Sequence, residues 1–69
     1  MHTYLIEYMK LHLISIEQDL EGIATEMELL DPSSKEYQEL DFEYNWLSGQ
    51  SIATRHFIKV GEEHAAQAN

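Results

Sequence analysis

A chain of 69 residues with no cysteine has room for one small domain and no disulfide or thiolate zinc site to hold it together. Thirteen Asp and Glu stand against four Lys and Arg, a net charge of −9. That balance argues against direct binding of nucleic acid or of an anionic membrane surface, both of which need clustered cations.

Glu7 and Lys10 interrupt the first apolar run, so a signal peptide is not expected. No apolar stretch nears the roughly 20 residues of a membrane span, and the cytoplasm is the expected location. The spacing predicts a first helix over about 3–30. Its seam is Ile6, Met9, Leu13, Ile16, Leu20, Ile23, Met27 and Leu30, at alternating steps of three and four. A strand does not produce that period. Tyr4, Tyr8, Leu11 and Ile14 are apolar but lie off the seam.

Asp31-Pro32-Ser33-Ser34 is a break, because proline cannot continue a helix and biases the residue before it away from helical geometry. Either serine can cap the next helix: Ser33 with Glu36 as a capping box, or Ser34 with Lys35 and Glu36 in the first turn. The second helix is predicted over about 35–64, with a frayed tail at 65–69. Its seam is Tyr37, Leu40, Tyr44, Leu47, Ser51, Thr54 and Ile58. A second stripe runs through Phe42, Trp46, Gly49, Ala53, Phe57 and Val60.

A turn this short makes the helices antiparallel neighbours, so residues 1–69 are expected to form a single all-α hairpin domain. Residues whose numbers sum to about 65 should lie level, Lys10 with Arg55 among them, and the rod should be about 40–45 Å long. One hairpin buries one stripe per helix, leaving the second stripe and the flank of helix 1 in water. Lone chains rarely expose so much apolar surface. The expected assembly is a homodimer, or higher oligomer, forming a four-helix bundle. Gly49 and Ala53 would let another helix approach closely. The interface residues expected are Tyr4, Tyr8, Leu11, Phe42, Trp46, Gly49, Ala53, Phe57 and Val60.

Acids crowd the turn end, with Glu17, Glu21, Glu28, Glu36, Glu39 and Glu43 the expected acidic surface. Lys10, Arg55, Lys59 and the histidines lie toward the open end. Antiparallel packing of two hairpins would bring acidic and basic ends together.

No histidine follows a glutamate by three, so the Glu-x-x-His metal pattern of helical bundles is missing. Neither a Ser-His-Asp set nor a glycine-rich phosphate loop is present. Neither catalysis, nor a metal, nor a cofactor is expected. Gln38-Glu39-Leu40-Asp41 resembles most of the Ser-Gln-Glu-Leu-Asp motif of the small aspartyl-phosphate phosphatases that control bacterial sporulation, which are also short helical hairpins. That resemblance implies dephosphorylation of a response regulator, with Asp41 at the position of the essential aspartate. Tyr37 stands where that family has its serine.

The reading that best fits the composition is a non-enzymatic interaction module. It would bind itself and another protein with a basic surface, acting as an inhibitor of the kind phages and mobile elements encode. The response-regulator phosphatase and a structural subunit of a larger assembly are the alternatives.

Overall fold

The computed structural model describes residues 2–67, as two α-helices: α1, His2–Glu28, and α2, Lys35–Gln67. They pack against each other as a hairpin. Every seam residue of α1 is buried or half-buried, and so is every one of α2. Ile16 (4% exposed), Ile23 and Ile58 form the most covered part of the core. The three-four period decides this, because it keeps one side of each helix facing its neighbour over seven turns.

The middle of the α2 seam is polar, and the helix satisfies it internally. Ser51 is buried, and its hydroxyl donates to the Ser48 carbonyl at 2.9 Å. A buried hydroxyl with a partner costs little. The register is fixed at the open end, where a Cβ on Gly61 would lie 3.3 Å from Ile6 Cγ1. Glycine spares a tight contact there, which a larger residue would relieve only by displacing the Ile6 side chain. Carried down the antiparallel pair, that register places Ser51 near the level of Ile16, the most buried residue.

The turn chooses between the two candidate caps. Ser34 Oγ accepts from the Tyr37 N–H at 3.1 Å, which makes Ser34 the cap of α2. Ser33 turns back instead. Its N–H and its hydroxyl both donate to Asp31 Oδ1, at 2.9 and 2.8 Å, and the Ser34 N–H donates to the Asp31 carbonyl at 2.9 Å. These two Ser33 hydrogen bonds, the backbone one first, hold the Asp31 carboxyl below its usual pKa. Substituting Ser34→Ala should lower stability by about 1 kcal/mol, read from thermal melts by circular dichroism. Ser33→Ala should cost less, and the reverse ranking would mean that the cap has been misassigned.

Two helix ends and the length of the rod differ from expectation. α1 ends at Glu28 rather than Leu30, because Leu29 and Leu30 donate to carbonyls three residues back, at 3.0 and 3.2 Å, and tighten the last turn. α2 runs on to Gln67, past the expected end at His64, through the strong helix formers Ala65 and Ala66; Ala68 and Asn69 lie outside the described residues. The rod is 53 Å long rather than about 40–45 Å.

A rod this slender cannot cover much of its own surface. The other two dimensions are 14 and 13 Å, and the radius of gyration is 15.8 Å. A compact chain of this length would have a radius of gyration of about 11 Å. The accessible surface is 5522 Å², where scaling from the mass gives about 4,500 Å². The hairpin thus leaves about 1,000 Å² more in water than folded monomers of its mass do.

Candidate functional site

The hairpin has three exposed surfaces, each created by what the seam leaves out. The first is apolar. On α2, Phe42 (75% exposed), Trp46 (59%), Phe57 and Val60 are exposed, with Gly49 and Ala53 exposed between them. On α1, Tyr4, Tyr8, Leu11 and Ile14 are exposed. Each residue of the sequence-derived stripe therefore lies at the surface of the single hairpin.

Leu5, Leu29 and Ile52 belong to this apolar exterior too and were not foreseen. Leu5 precedes Tyr8 by three and could have been found from that spacing. Leu29 could not, since its exposure follows from where α1 ends.

The two flanks of the hairpin differ. On one, Lys10 meets Glu62 at 3.1 Å and Glu7 at 3.8 Å, and Arg55 meets Glu17 at 2.6 Å. Lys10 and Glu17 are seven residues apart, as are Arg55 and Glu62, so the bridges repeat every two turns. Each cation reaches an acid on the opposite helix rather than lying idle opposite the other. The Glu62 carboxylate, through its hydrogen bond and its charge, raises the Lys10 pKa, with a smaller push from Glu7. These bridges are solvent-exposed and contribute little to stability. They do fill that flank with charge. On the other flank, a groove of about 390 Å³ runs between Leu5, Met9, Phe57, Val60 and Gly61.

The second surface is acidic. Around the turn end, Asp19, Glu21, Glu26, Glu28, Glu36, Asp41 and Glu43 are all exposed. Lys35 stands 4.0 Å from Glu39. A shallow groove of about 420 Å³ is lined by Asp19, Glu26 and Glu43 over Gly22, Ile23 and Leu40. Among the described residues, no group of three His, Asp or Glu is placed to hold a metal ion.

The third is a groove of about 560 Å³ against the turn, lined by Ala24, Met27, Pro32, Tyr37, Asp41 and Tyr44. Asp41 stands at its rim. The other members of the Gln38-Glu39-Leu40-Asp41 string diverge, as a helix requires of four consecutive residues. Leu40 is in the seam, while Glu39 and Gln38 line a different surface with Phe42. Among the described residues, no helix is long and apolar enough to cross a membrane. Comparison with protein-family models, with curated proteins and with solved structures finds no match to this chain.

Proposed function

We propose that this protein is a non-enzymatic interaction module: two hairpins close their apolar exteriors on each other as a four-helix bundle, and the acidic turn ends bind a protein with a basic surface. The observation that carries the reading is the division of the exterior. Large apolar side chains occupy the outer face of α2 and the open half of α1, and carboxylates occupy the turn end. An apolar exterior this extensive favours burial by association. A field of carboxylates that outnumber the nearby cations attracts a basic surface and speeds encounter with it. By occupying a basic groove on its partner, such a module would act as an inhibitor.

Two measurements test the parts separately. Light scattering over a wide dilution range, with helicity followed in parallel, should show an assembly that loses helix as it dissociates. A well-folded monomer at every concentration would refute the self-association. A protein carrying Glu21→Gln, Glu26→Gln and Glu28→Gln, all exposed on α1, should keep its helicity and assembly mass while losing capture of basic proteins that the parent binds at low salt and releases at high salt. Equal capture by both proteins would refute the acidic end as the binding surface.

A further inference from the structure

We infer that the outer face of α2 docks on the same face of a second copy, antiparallel, about a two-fold axis between Leu47 and Ser48. This rests on the proposed self-association and adds to it a face, a direction and a register.

The area comes first. A standard interface buries about 800 Å² on each partner. The surplus of about 1,000 Å² on this hairpin is of that size.

The register comes from the pattern on the exposed face. In an antiparallel pair of helices, residues placed symmetrically about the axis face each other. About residues 47 and 48, Trp46 pairs with Gly49, and Phe42 with Ala53. Phe42 and Trp46 of one copy therefore each meet an exposed small residue of the other, and Phe57 lies level with Gln38. Alternating large and small residues across facing positions is how two surfaces interdigitate. The hairpin itself gives Gly49 no purpose. It sits in mid-helix with nothing within 4 Å of where a Cβ would be, and no glycine here has a positive φ. The close approach of a second helix gives it one.

Charge selects the same register. The same midpoint brings Glu39 level with His56 and Glu36 level with Lys59. Parallel pairing would instead set Glu36, Glu39, Asp41 and Glu43 beside their own copies, and like charges repel.

The chain lacks cysteine, so single-cysteine variants accept one spin label each. Gln38 and Lys59 are exposed, Gln38 at the end of the stripe four residues before Phe42 and Lys59 beside it, and each is replaced by cysteine in turn, Gln38→Cys and Lys59→Cys. At 1.5 Å per residue and about 10 Å between helix axes, each labelled protein alone should show an inter-copy separation of about 30–35 Å. An equimolar mixture of the two should show a new, short separation of about 10 Å between unlike labels. Parallel pairing predicts the opposite: short separations in each pure sample and a long one in the mixture. That result would overturn the inference. So would separations beyond about 20 Å in every sample of a confirmed dimer, which would place the contact on another face. A monomeric mass for the unlabelled chain would remove the self-association itself, a failure distinct from either.

Discussion

Replacing Ile16 with alanine should unfold a large fraction of the chain at room temperature. Ile16 is the least exposed large side chain among the described residues, at 4%. Truncating a buried isoleucine costs about 2–5 kcal/mol, and the cost is larger where neighbours cannot collapse into the space. Ser51, near the level of Ile16, is small and offers little bulk to fill that space, and its hydroxyl is held by the Ser48 carbonyl. A core of this size supplies only about 3–5 kcal/mol in all, so one such cavity is comparable with the entire stability. The matched control is Leu29→Ala, since Leu29 is 83% exposed and its loss should change stability by no more than about 0.5 kcal/mol. Thermal and urea melts followed by circular dichroism, at one protein concentration, would show the difference. If both variants melted alike, the seam would not be the core.

The seam itself was legible residue by residue, because fifteen positions at alternating steps of three and four admit one helical phase on each side of the break. Ser51 and Thr54 belong to that phase although neither is apolar, and the structure covers both. What sequence could not decide was local. Ser33 and Ser34 are equally good caps by residue type. The choice went to Ser34 because Asp31 takes both hydrogen bonds of Ser33. Lys10 and Arg55 were expected to lie level, which says nothing of which acids they reach; long side chains carried them to Glu62 and Glu17. The overhang of α2 beyond His64 rests on the helix propensity of alanine, which carries no periodic signal. The apolar exterior was legible as a surplus, because two stripes on one helix cannot both face a single neighbour.

Gly49→Leu should turn the assembly into monomers while leaving the hairpin folded, and Gly49→Ala should show why. Glycine in an exposed helix costs about 1 kcal/mol relative to alanine. In an isolated hairpin, Gly22→Ala and Gly49→Ala should therefore both stabilise, since neither Cβ would meet anything within 4 Å. Association separates the two sites. If the Trp46 ring of a second copy rests on Gly49, the added methyl group opposes docking, and a leucine side chain blocks it. Overpacking costs about 1–3 kcal/mol per site, and a two-fold dimer contains the site twice. The dissociation constant of Gly49→Leu should then rise at least about 30-fold. Gly22→Ala should raise the melting temperature at every concentration. Gly49→Ala should raise it at high dilution and lower it, relative to Gly22→Ala, where the parent is assembled. Sedimentation and melts across a dilution series measure both effects. If Gly49→Leu kept the parent's mass, the outer face of α2 would not be where the copies meet, however well they associate.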